Sequence, residues 1–166
     1  MDPFARAMQA YHQQIQRGEI QQAYRGLMDY MYALKTELKA KHPDFQASGS
    51  LYFGYMDMTY FAITPPALKE KGLKIAVVFV HETFAFEAWL SAANRAVLAQ
   101  YAQLIEDAGW QKYRRVSAAQ NPDAILEHTL TADPDFSDLP ALSALIERET
   151  LAFCADVEAF VANLPA

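Results

Sequence analysis

Leu73-Lys74-Ile75-Ala76-Val77-Val78-Phe79-Val80, followed three residues later by Phe84-Ala85-Phe86-Glu87-Ala88-Trp89-Leu90-Ser91, is the stretch on which the fold turns. The first run is apolar on both faces, which fits an interior strand rather than an edge strand. The two runs lie too close together for a crossover connection, so they form an antiparallel hairpin. Side chains along a strand alternate between faces. A tight turn at Glu82-Thr83 therefore sets Leu73, Ile75, Val77, Phe79 and His81 beside Phe84, Phe86, Ala88 and Leu90 on one apolar face. That face should receive helices. The other face carries Lys74, Ala76, Val78 and Val80 against Ala85, Glu87, Trp89 and Ser91, and an interior strand needs a cover there too.

Upstream of the hairpin, residues 48–64 are rich in aromatic and β-favouring types and read as two strands or one bent strand, with Gly54 permitting the break. Pro65-Pro66 ends this region, and residues 67–72 suit one helical turn. Further upstream lie two helices. The first begins at Asp2 with Pro3 in its first turn, places Phe4, Met8, Tyr11 and Ile15 on one face, and ends at Gly18. The second carries the clearest period in the chain: Ile20, Tyr24, Leu27, Met31, Leu34 and Leu38, a stripe suited to packing on a core. It stops by His42, because Pro43 disfavours a helical residue before it.

Downstream, Asn94 caps a helix with Val97, Leu98, Tyr101, Leu104, Ile105 and Ala108 inward and Gly109 as its stop. Residues 110–123 read as a polar connection, and 124–131 as an edge strand, although so short an apolar run does not by itself distinguish element types. A last long helix starts near Ser137 or Asp138 and buries Leu142, Ile146, Phe153, Val157, Phe160 and Leu164. Strands grouped between helices indicate a single α+β domain over residues 1–166, with an antiparallel sheet of four to five strands packed on helices.

The composition excludes several classes of function. The 166 residues carry a formal charge of −6, so general nucleic-acid binding is not expected. The one basic run, Lys112-Tyr113-Arg114-Arg115, reads as a solvated loop. A single cysteine, Cys154, fits a reducing compartment; with no leader or membrane-spanning run in view, a cytoplasmic location is the expectation.

Several segments together resemble a known family: Ala23-Tyr24-Arg25-Gly26-Leu27-Met28, Ser48-Gly49-Ser50-Leu51-Tyr52, Gly54-Tyr55-Met56-Asp57-Met58-Thr59-Tyr60-Phe61, the hairpin with His81-Glu82 and Phe86-Glu87-Ala88-Trp89-Leu90, and Asn94. The chain is similar over nearly its whole length to a family of small, uncharacterised bacterial proteins, a domain of unknown function. The resemblance implies no activity, cofactor or catalytic residue.

The residues that could carry chemistry are few. Glu87 stands mid-strand beside Trp89, and a buried carboxylate is usually paired, here by Arg25 or Arg95 of a covering helix. Alternatively it binds a ligand or moves a proton. Asp57, among Tyr52, Tyr55 and Tyr60, is either a turn residue bonding nearby amides or part of a polar pocket with Glu87. His81-Glu82 lacks the second histidine of a zinc-protease helix, since position 85 is alanine. A hard-cation site of Asp57, His81, Glu82 and Glu87 is hindered because His81 and Glu82 point to opposite faces, so no metal site and no cofactor are assigned. Cys154 reads as a small packing residue. No Gly-x-Ser-x-Gly elbow or phosphate-cradling glycine loop occurs.

Three functions remain. The leading one is a binding module with a polar, aromatic-lined cleft on the sheet for a small polar ligand or a protein segment, using Asp57, Glu87, Trp89, Tyr52, Tyr55, Tyr60, His81 and Arg25. The second is a small acid/base or divalent-cation-dependent enzyme using Asp57 or Glu87. The third is a homodimer formed through the long helices.

Overall fold

A computed structural model describes residues 2–165. The elements run α1 (Pro3–Gln16), α2 (Glu19–Lys41), β1 (Gln46–Ala47), β2 (Met58–Thr64), α3 (Pro66–Glu70), β3 (Leu73–Val80), β4 (Ala85–Ala92), α4 (Arg95–Asp107), β5 (Arg114–Arg115), β6 (Leu126–Thr131) and α5 (Leu139–Ala162). The fold class is α+β. The sheet is antiparallel in the order β1-β2-β3-β4-β6-β5, so it holds six strands rather than four to five. The additional strands come from its two edges, where β1 and β5 are two residues long. Residues 124–131 supply β6, which pairs with β4.

The hairpin register is the one that pleat counting gives: Ile75 faces Leu90, Val77 faces Ala88, and Phe79 faces Phe86. The ladder stops at Val80–Ala85, one pair earlier than expected. Phe84 takes a left-handed backbone (φ 57°), which no ladder residue can hold, so it lies in the turn and not in the strand. His81 and Phe84 are thereby released from pairing.

All the long helices that pack on the sheet build one core on the same face. Met31, Leu34 and Leu38 of α2, Ile105 of α4, and Ile146, Phe153 and Val157 of α5 close over Phe61, Phe79 and Phe86. Burying each of these phenylalanines contributes about 2–3 kcal/mol. The far face has no covering helix. A smaller cluster of Ala76, Val78, Trp89 and Ala124 lies there, with Val116 beside it, so the 116–124 connection supplies the cover. Cys154 is buried in the main core, where burial pushes its thiol up to about 12.

Two apolar stripes behave differently from the expectation. α1 begins as anticipated, with the Asp2 carboxylate accepting from Ala5 N–H, yet none of its residues is buried, and Phe4 is 72% exposed. On α2, the C-terminal half of the stripe is core, whereas Ile20, Tyr24 and Leu27 are only partly covered or exposed.

The connection from Leu51 to β2 is pinned at three points. Tyr52 and Tyr60 exchange backbone hydrogen bonds (2.8 and 3.0 Å), Lys35 Nζ donates to the carbonyls of Ser48 and Gly49 (3.1 Å each), and Gly54 turns the chain at φ 71°. A Cβ at Gly54 would lie 2.1 Å from the Met58 carbonyl oxygen and 2.5 Å from an Asp57 carboxylate oxygen. Gly54→Ala should therefore cost at least about 2 kcal/mol in urea unfolding. Gly26 differs: it sits within α2 with open space where a Cβ would go, so Gly26→Ala should raise stability by about 0.5–1 kcal/mol. Equal responses of the two sites would contradict this geometry.

Candidate functional site

The sheet separates the residues singled out in the sequence. On the far face, cross-strand pairs form a row running Tyr52, Tyr60, Val78, Glu87 and Thr129. The Tyr52 and Tyr60 rings stack at 4.9 Å. The neighbouring row runs Ala62, Ala76, Trp89, Glu127 and Arg114. Within these rows Trp89 Nε1 donates to a Glu87 carboxylate oxygen at 2.7 Å. The expected arginine partner of Glu87 is not found: Arg25 is exposed on α2, and Arg95 pairs with Asp123 at 3.3 Å. The physical reason is the single helical layer, since no helix reaches the face on which Glu87 stands. Glu87 satisfies the indole of its own strand instead. The basic run at 112–115 is also neutralised locally, with Lys112 on Asp156, Arg114 on Glu127 and Arg115 on Glu106.

His81 lies on the helix side, edge-on to Phe79 at 5.0 Å. Its backbone N–H donates to the Asp57 carbonyl oxygen at 2.9 Å, which brings the 53–57 turn against the end of β3. The Asp57 carboxylate accepts from Tyr55 N–H at 2.8 Å, and the Tyr55 and Met58 amides hold its pKa below the usual value. Asp57 is thus built into its turn, and Tyr55, 92% exposed, projects from it. Among the described residues no group of three His, Cys, Asp or Glu side chains converges on a metal-sized site.

The open half of the α2 stripe faces a cavity of about 530 Å³. α2 contributes Ile20, Ala23, Tyr24, Leu27 and Tyr30. The sheet end and its loops contribute Phe79, His81, Phe84 and Met56, and the segment before α5 contributes Phe136 and Leu139. Aromatic rings pave it: Phe79 to Phe84 at 5.1 Å, Phe79 to Phe136 at 6.1 Å, and Tyr24 stacked on His81 at 6.2 Å. Ile20, Met56, Phe84, Phe136 and Leu139 are all exposed large hydrophobic residues, gathered at this one place. Gly26 and Tyr30 also border a neighbouring groove of about 550 Å³ between α2 and α5, where the Tyr30 hydroxyl meets the Ser143 hydroxyl at 3.1 Å.

Phe84, Phe136 and Met56 were not among the residues singled out from the sequence as site residues. They sit on loops, where no periodicity marks a buried face. The available signal was a lone aromatic in an otherwise acidic connection, Asp133-Pro134-Asp135-Phe136-Ser137-Asp138.

Burial lowers the His81 pKa from 6.5, with the Asp57 charge opposing that shift. Glu87 keeps a neutral donor as its partner, so Glu87→Gln preserves an acceptor for the indole. The substitution should cost about 1 kcal/mol or less. A loss near 3 kcal/mol in chemical denaturation, the scale of a stranded buried cation, would reveal an ion pair that the geometry does not contain.

Among the described residues, no helix is long and apolar enough to cross a membrane. No curated protein and no solved structure matches the chain. A model of one family, described as Domain of unknown function (DUF7000), matches residues 4–161, and the protein belongs to that family.

Proposed function

We propose that the protein is a binding module whose ligand, a small and largely apolar molecule, occupies the cavity between α2, the β3–β4 turn and the start of α5. The observation that carries this reading is the gathering of five exposed large hydrophobic side chains around one aromatic-paved space. Exposed apolar surface concentrated in one concave place marks an interaction site, whereas scattered exposure does not. Gly26 adds support. A glycine inside an exposed helix costs about 0.5–1 kcal/mol, and here no neighbouring atom requires it. Its lack of a side chain keeps the cavity wall low.

The sheet's far face is less suited to a ligand. Its indole N–H and Glu87 carboxylate already satisfy each other. An acid/base enzyme using Asp57 or Glu87 has less support, because Asp57 is bonded within its own turn and Glu87 already accepts from the Trp89 indole.

N-phenylnaphthylamine, a neutral fluorescent apolar probe, should bind with a strong rise in emission. Ala23→Trp, which adds a large side chain to the cavity wall, should weaken that binding by about tenfold or more while leaving the circular dichroism unchanged. Binding indifferent to Ala23→Trp would place the probe elsewhere and overturn the reading.

Acid should act through His81. Its folded pKa lies below its unfolded value of 6.5, so the unfolded chain binds the proton first as pH falls. The His81 contribution to stability is present above pH 6.5 and is lost as pH falls through the folded pKa. Protonation also places a cation at an apolar wall, with Asp57 the nearby opposing charge. Probe affinity should stay flat above pH 6.5 and decline below it, by at most about tenfold per pH unit. His81→Phe should remove that decline.

A second reading rests on α1. Its exposed stripe of Phe4, Met8 and Tyr11 supports a homodimer in which that stripe packs on a second copy. Light scattering across a concentration series should then give a rising mass that Met8→Glu abolishes. A constant monomer mass would remove this reading.

A further inference from the structure

Thr59 is completely buried, and its hydroxyl stands between two groups. It donates to the Phe53 carbonyl oxygen at 2.9 Å and lies 2.9 Å from His81 Nε2. A hydroxyl has one proton. With that proton given to Phe53, Thr59 Oγ1 can only accept from the histidine. Nε2 therefore carries the imidazole hydrogen, and Nδ1 is left with a lone pair. Among the described residues no group donates to Nδ1. The ring is half-buried in the cavity wall, stacked on Tyr24 and edge-on to Phe79. An acceptor in such surroundings favours a ligand that brings a donor, because an apolar ligand would leave it unpaired.

We propose that the cavity selects a small aromatic molecule bearing one hydroxyl, whose O–H donates to His81 Nδ1 while its ring lies among Tyr24, Phe79, Phe84 and Phe136. This rests on the cavity being a ligand site. The chain Phe53 carbonyl, Thr59 hydroxyl, His81 Nε2–H fixes the tautomer, and the tautomer fixes the sense of the hydrogen bond. Thr59 acts here as a positioning residue. The aromatic walls supply edge and face contacts for a ring, and about 530 Å³ accommodates a single- or double-ring molecule. Glu87 and Trp89, on the far face, have no part in this selection.

The test uses the full chain and three matched probes: para-propylphenol, its methyl ether, and propylbenzene, each displacing N-phenylnaphthylamine at pH 7.5, above the ordinary histidine pKa of about 6.5. The phenol should bind about tenfold or more tightly than the other two, which share its shape but cannot donate. In His81→Phe and in Thr59→Val the three affinities should converge to within about twofold. General loosening of the turn in Thr59→Val would weaken all three together and leave the ratio intact. Long-range proton–nitrogen NMR spectra of the free protein should show His81 protonated at Nε2. A protonated Nδ1, or equal binding of all three probes by the parent protein, would overturn the selection while leaving the cavity as an apolar site. Failure of every probe to bind would overturn the cavity itself, and the selection with it.

Discussion

β3 hydrogen-bonds along both edges, to β2 and to β4, yet only one of its faces lies beneath helices. That asymmetry governs the rest of the molecule. On the helix side, Ile75, Val77 and Phe79 are fully buried and anchor the core shared by α2, α4 and α5. On the other side, Val78 is equally buried, so a cover had to come from side chains and loop. Trp89 and the 116–124 connection provide it, and Glu87 serves as the hydrogen-bond partner that a nearly buried indole needs. A carboxylate in mid-strand is thus explained by the hydrogen bond from the indole two residues along, with Arg114 of the neighbouring row acting on it only through space.

Much of this was legible in the sequence because strand periodicity is strict. A two-residue alternation fixed which of Leu73 to Val80 face the helices, and the pairing of Phe79 with Phe86 follows from that parity. Helix boundaries were marked by Asp2, Asn94 and Asp138, each of which caps as a residue of its type should. The candidate site was less legible. Pleat counting put Glu87 and Trp89 on one face correctly, but pairing Glu87 with Arg25 or Arg95 required knowing that a helix lay over them. Periodicity says which face of a helix is apolar and says nothing about which side of a sheet it crosses. The cavity escaped notice for a related reason. Phe84 and Phe136 reach it from irregular backbone, and the left-handed φ of Phe84 has no signature in residue type.

The α2 stripe illustrates a limit of reading apolar periodicity as core. Its residues follow one spacing from Ile20 to Leu38, yet the last half is sealed and the first half open. Uniform periodicity reports that a face is apolar; it does not report what occupies the space against it. Gly26 lies at the border between the two halves, where it lines both the cavity and the adjoining groove. Stability and open space are in direct competition at that position, since almost any other side chain would strengthen the helix and narrow the opening.

α1 has a different kind of consequence. It touches the rest of the chain without burying a residue, and Gln21 Nε2 donates to the Ile15 carbonyl near its end. A fourteen-residue helix that buries none of its residues draws little of its stability from packing. Such a helix is expected to fray at a lower free energy than the sheet unfolds, giving a small local process beside a larger cooperative one. Calorimetry would register chiefly the larger one, because heat absorption scales with the surface that unfolding exposes. The order of Pro3–Gln16 is then a quantity of its own, set by local helix energetics and by whatever the stripe comes to rest against.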